Sequence, residues 1–261
     1  MKNGFTLVEL SIVLVIIGLL VGGILVGQSL IESAQIKAQV RQFQQYDIAL
    51  QNFYQKFRHI PGDAPYSFGT KVYPDSFNGW GNGWIEGNVG TGNNLAGEVS
   101  SYFTDLSESK MISEQYKMVS NQYKRGKGKQ FPLGKIGDGG IMIHSTFDKR
   151  IQYFFGMSVD SPFGPYGTYN AFSPEGVISP AVAFAIDKKM DDSLAETGKV
   201  FATSSRTSLP AGNYSPPANW TLLPDTTDGV CINVIAGADT YNVANTDSKA
   251  CKLRVEAQFY R

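Results

Sequence analysis

The chain opens on an almost unbroken apolar stretch. Between Phe5 and Gly27 the one charged residue is Glu9, and the 18 residues from Leu10 to Gly27 carry no charge. Such a run predicts a membrane-spanning helix, just long enough to cross the hydrocarbon. A secretory signal peptide has a shorter apolar core followed by a small-residue cleavage site. Here the apolar run passes directly into a polar segment with apolar punctuation. Ile36, Val40, Phe43, Leu50 and Phe57 recur at helical spacing, Asp47 interrupts them, and Phe53 and Tyr54 flank the stripe. This pattern predicts an amphipathic helix laid against a core. The Gln and Ala residues between are good helix formers, and Pro61-Gly62 ends the element. One continuous helix over 5–58 would be about 80 Å long, half of it in a membrane and half on a globular head. Gly18, Gly22, Gly23 and Gly27 weaken it locally and permit close helix approach, so local unwinding within an assembly is one expectation.

Beyond the helix the periodicity shortens. Val99, Phe103, Leu106 and Ile112 predict one or two short helices between Gly97 and Met118. Gly140 to Phe147 and Ile151 to Met157 read as paired strands. Ser179-Pro180 opens another helix by cap and first-turn chemistry. At the end, Cys251, Leu253, Val255, Ala257 and Phe259 alternate with Lys252, Arg254, Glu256 and Gln258, which predicts a strand with one buried and one wet face. The fold class is α+β: a long N-terminal helix packed on an antiparallel sheet, with extra loops. The 28 Gly, 12 Pro and 13 Tyr agree, since they favour strands and loops over a helical bundle. A head of about 200 residues buries a core without metals or staples. The formal net charge is +0, so no global field draws the chain to nucleic acid or anionic lipid.

Glu9 requires a partner or an aqueous edge, because a carboxylate at the end of a membrane helix is costly. No Lys or Arg is close to it in the helix. Cleavage after Gly4 would create a positive amine at Phe5, and the amine of a neighbouring subunit would neutralise Glu9; the other reading places Glu9 in the headgroup region. Lys2 favours a cytoplasmic N-terminus, although Lys37 and Arg41 lie within range of the same rule.

The segment Lys2-Asn3-Gly4-Phe5-Thr6-Leu7-Val8-Glu9-Leu10 resembles the leader and cleavage box of type IV pilins and type II secretion pseudopilins. The resemblance implies cleavage by a prepilin peptidase between Gly4 and Phe5, N-methylation of Phe5, and an assembly role for Glu9 against the amine of another subunit. It implies four regions: a leader (1–4), a transmembrane and assembly helix (5–27), the amphipathic half of that helix (28–60) and an exported head (61–261). It also implies a single-pass protein of the bacterial inner membrane with a periplasmic head, which later joins a pilus or pseudopilus. Its partners would be pilin or pseudopilin subunits, the peptidase, an inner-membrane assembly platform and membrane lipid, but not nucleic acid. Many pilins kink this helix with a proline; this chain has none before Pro61. A minor or tip pilin with an adhesive, sugar-binding or DNA-binding head is the alternative function.

Cys231 and Cys251 are the only cysteines. Two are too few for a usual metal site. In an exported domain they would form a disulfide closing a loop of about 20 residues, at roughly 3 kcal/mol; two buried thiols are the alternative. By resemblance this is the disulfide-bounded C-terminal region of pilins. Pro61-Gly62-Asp63-Ala64-Pro65 and Asp187-Lys188-Lys189-Met190-Asp191-Asp192 resemble segments of large bacterial pilin-like proteins, with Ser193 where those usually have Gly. Asp187, Asp191 and Asp192 are candidate calcium ligands, but they lack the spaced oxygens and final Glu of an EF-hand loop; capping and turn formation is the competing reading. No other cofactor is expected. The aromatic-rich stretch from Tyr66 to Gly97, with Trp80 and Trp84, is either an adhesive loop or a plug of the head, and the latter is favoured. The run from Lys124 to Lys129 reads as a solvated turn ahead of a phosphate contact. With only His59 and His144, and no HExxH, P-loop, dinucleotide fingerprint or nucleophile elbow, the chain is not expected to be an enzyme.

Overall fold

The computed structural model describes residues 6–64, 81–85, 98–117, 131–137, 139–145, 150–157, 176–204, 230–233, 239–247 and 249–259. Helix α1 spans Leu7–Phe57, 51 residues without a break at any of its glycines. It stops where Arg58 turns into the left-handed region (φ 59°) and donates its amide to the Tyr54 carbonyl, three residues before Pro61 removes a further donor. Leu7 to Gln35 lie open along the helix, and burial begins at Ile36.

The head supplies what the second half of α1 packs on. Strands β1 (Gly140–Ser145), β2 (Ile151–Met157), β3 (Val200–Ser204) and β6 (Cys251–Glu256) form an antiparallel sheet in the order β1-β2-β6-β3. Strands β4 (Ile232–Asn233) and β5 (Thr240–Tyr241) make a separate short ribbon. Helix α2 (Glu98–Glu108) packs beside α1 and β1, while α3 (Pro180–Met190) lies against α1, β3, β5 and β6. The expected cap is present: Ser179 accepts the Val182 amide, and Pro180 occupies the first turn.

Aromatic rings join helix to sheet. Phe43 is fully buried, with its centroid 6.0 Å from Tyr153 and 6.3 Å from Phe155 on β2. Tyr46 meets Phe103 of α2 edge-on at 5.2 Å, and Tyr54 meets Phe259 at 5.0 Å. Each such pair adds about 0.5–1.5 kcal/mol beyond the area it buries.

The inward face of β6 is as expected, with Leu253 and Val255 buried, but its other face is only partly wet: Arg254 and Glu256 are half-buried and Gln258 is exposed, while Lys252 is buried. Lys252 is 1% exposed, and the Arg254 guanidinium lies 4.5 Å from the Phe201 ring centroid. The cause is position: β6 lies between β2 and β3 rather than at an edge. The Lys252 stem fills the space over Gly156, where a Cβ would fall 2.7 Å from its Cγ. Long cationic side chains bury their stems in this way.

Both outer strands have amides that the chain itself satisfies. On β3, Val200 donates to Asp191 Oδ2 and Ala202 to the Ala195 carbonyl. On β1, Ile141 donates to the Pro132 carbonyl and Ser145 to that of Ile85.

Candidate assembly helix and its junction with the head

The N-terminal end of α1 is built by a capping box. Thr6 adopts an extended conformation and its hydroxyl accepts the Glu9 amide at 3.3 Å. In return Glu9 Oε2 accepts the Thr6 amide and hydroxyl, each at 2.8 Å. This is the reciprocal Thr-x-x-Glu arrangement that closes orphan amides at a helix start. Glu9 is therefore held by its own chain and still faces outward, as do Leu7, Val8 and Leu10. Gly4 and Phe5 lie outside the described residues. The helix is long and apolar enough to cross a membrane, and none of the described part of the head covers its first half.

Where α1 enters the head, it is held by polar side chains as well as rings. Gln39 and Gln42 are buried on the helix. Gln42 Nε2 donates to the Leu133 carbonyl at 2.9 Å, and Gln39 Oε1 accepts the Lys135 amide at 2.7 Å. Gln39 also donates to Gln42 Oε1 at 3.2 Å. Buried amides of this kind are tolerated because they are matched, and they fix which turn of the helix meets residues 131–137.

The far end is fixed by Pro61-Gly62-Asp63. Gly62 has φ +90°, and a Cβ there would fall 2.6 Å from the Glu98 carbonyl oxygen. Its amide donates to Asp105 Oδ2 at 2.7 Å, and its carbonyl accepts the Ser101 hydroxyl at 3.3 Å. Asp63, 2% exposed, accepts the amides of Gly81 (2.6 Å), Asn82 (3.0 Å) and Gly83 (2.8 Å). Burial raises its pKa, opposed by those same amides and by Glu98. One tripeptide thus clamps the end of α1 to α2 and to the turn at 81–85. Asp63, Glu98 and Asp105 carry no periodic signal; the glycines around Asn82 were the one hint that backbone would converge there.

The structure brings Asp187, Asp191 and Asp192 within 4.8 Å of one another. Asp187 is buried and accepts the Tyr241 hydroxyl at 2.9 Å and the Ser193 amide at 3.3 Å. Asp191 accepts the Lys199 and Val200 amides, and Asp192 accepts the Thr197 hydroxyl at 2.7 Å and the Leu194 amide at 2.9 Å. All three act here as caps for the turn between α3 and β3, so a cation would compete with donors already in place. Burial pushes Asp187 up to about 6. Ser193 takes φ +71°, a left-handed conformation that glycine adopts more readily.

Cys231 and Cys251 form a disulfide that ties the start of β4 to the start of β6. Trp84 is half-buried, while Trp80 and the run from Lys124 to Lys129 lie outside the described residues.

An exposed apolar helix, continued by a buried amphipathic half on a four-stranded sheet, defines an α+β protein of pilin-like architecture. Residues 1–25 match the family model described as the prokaryotic N-terminal methylation motif, so the chain carries the type IV pilin and pseudopilin signal. The apolar helix and this motif fit anchoring in a membrane. No curated protein and no solved structure matches the chain.

Proposed function

We propose that this chain is a structural subunit of a type IV pilus-like or type II secretion pseudopilus filament. It waits in the bacterial inner membrane with its head in the periplasm, loses residues 1–4 between Gly4 and Phe5, is methylated at Phe5, and joins the filament through an assembly platform. The observation that carries this reading is the methylation motif running without interruption into a helix whose first half is bare and apolar. A bare apolar stripe of that length is disfavoured in water and is covered by lipid or by packing against other helices. In the free subunit Glu9 is satisfied by Thr6; on assembly it exchanges that partner for the Phe5 amine of a neighbour.

The test is made in cells. Mass spectrometry of the membrane protein is expected to show an N-methylated Phe5 terminus. Glu9→Ala is expected to leave cleavage intact and to abolish filaments. A mature protein that retains Lys2, or normal filaments from the Glu9→Ala chain, would overturn the reading.

A further inference from the structure

The turn held by Asp63 contains the dipeptide Asn82-Gly83, and its hydrogen bonds match those of a reaction. Gly83 donates its amide to Asp63 Oδ2 at 2.8 Å. The Asn82 side-chain oxygen accepts the Trp84 amide at 2.8 Å. Asn82 is exposed, so water reaches it. The nitrogen that follows an asparagine is the nucleophile that closes a five-membered imide on that side chain, and a glycine there places no side chain in the way.

We propose that Asn82 is a self-modifying site, at which Asp63 acts as general base for deamidation. Asp63 Oδ2 takes the Gly83 amide proton as the nitrogen attacks Asn82 Cγ and a new N–C bond forms. The Asn82 oxygen gathers negative charge and is held by the Trp84 N–H, which serves as an oxyanion donor. Collapse breaks the Cγ–Nδ2 bond, and the departing amine leaves as ammonia with the proton returned from Asp63. Water then opens the imide to aspartate or isoaspartate. The balance is one water consumed and one ammonia released, with no redox partner.

The geometry also gives the product a consequence. Aspartate at 82 puts a second carboxylate beside Asp63, whose oxygens already receive the Gly81, Asn82 and Gly83 amides. Isoaspartate in addition lengthens the main chain by one carbon. Either product loosens the clamp between the end of α1 and the head, so the modification serves as a one-way ageing mark on the subunit.

The experiment follows the amide-to-acid mass change at Asn82 in the purified full-length protein in detergent, folded and in urea, by tandem mass spectrometry over days at neutral pH. The folded chain is expected to convert at least about a hundredfold faster than the unfolded one, the low end of what a placed base contributes. Asp63→Asn in the folded state is expected to fall to the unfolded rate. A folded rate equal to or below the unfolded rate would overturn the proposal, and so would an unchanged rate in a folded Asp63→Asn chain. If that variant does not fold, the comparison of folded and unfolded wild type decides alone.

Discussion

Asp47 breaks the apolar stripe of α1, and replacing it by Asn should make the protein more stable at neutral pH. The side chain is half-buried, and Oδ1 has no hydrogen-bond partner among the described residues. Burial pushes its pKa from 3.8 up to about 6, against the Gln258 amide, the Tyr153 phenol and Lys199, which pull it down. A raised carboxylate pKa means that ionisation is harder in the folded state. The penalty is absent below the unfolded value, grows as pH rises through the window from 3.8 to about 6, and is complete above it. At about 1.36 kcal/mol per pH unit, the full difference would be about 3 kcal/mol. Solvent screening of a half-buried group lowers the expectation to about 1–2 kcal/mol. Asn cannot ionise, keeps an oxygen for the Gln258 amide and has nearly the same shape. Urea denaturation of the detergent-solubilised protein should therefore show Asp47→Asn more stable at pH 7.5, with the advantage fading towards pH 4. Asp63 and Asp187 also have raised values, but they are common to both proteins and cancel in the difference. No gain at pH 7.5, or a gain that persists unchanged at pH 4, would refute the reasoning.

Further perturbations test other parts of the junction. Phe43→Ala should remove about 3–5 kcal/mol and expose the helix–head seam to limited proteolysis. Gly62→Ala forces a Cβ into a left-handed position against the Glu98 carbonyl, and a thermal melt should report a loss of about 2–3 kcal/mol. Replacing Cys231 and Cys251 by Ser should cost about 2–4 kcal/mol, visible as a lower urea midpoint that reductant no longer shifts. Ser193→Gly should stabilise by up to about 1 kcal/mol, because φ +71° suits glycine; a lower melting temperature would contradict this.

The features legible in the sequence were those with a period or a local cap. The spacing of Ile36, Val40, Phe43 and Leu50 marked the buried face of α1, Ser179-Pro180 marked the start of α3, and Leu253 and Val255 marked the inward face of β6. Polar residues that act over long sequence separations left no such trace. Gln39 and Gln42 look like ordinary helix formers until residues 131–137 arrive to accept and donate. Lys252 looks wet until β3 and β2 flank its strand. Asp63 was visible only as part of a tripeptide, because its partners lie 18 to 20 residues further along the chain. The short strands β3, β4 and β5 were equally silent, since two to five residues are too few to establish an alternation.

The partly occupied edges of the sheet limit how copies of this protein can join through it. An open β edge is a template that recruits another chain by backbone pairing, and such growth is hard to reverse. Here Asp191 and Ala195 occupy two amides of one outer strand, while Pro132 and Ile85 occupy two of the other. In the filament proposed above, growth would run through the apolar helix, by side-chain packing together with the Glu9 pair. A polymer held together mainly in that way would release a subunit to the bilayer without tearing a ladder of hydrogen bonds, so the same molecule could be built in and recovered repeatedly.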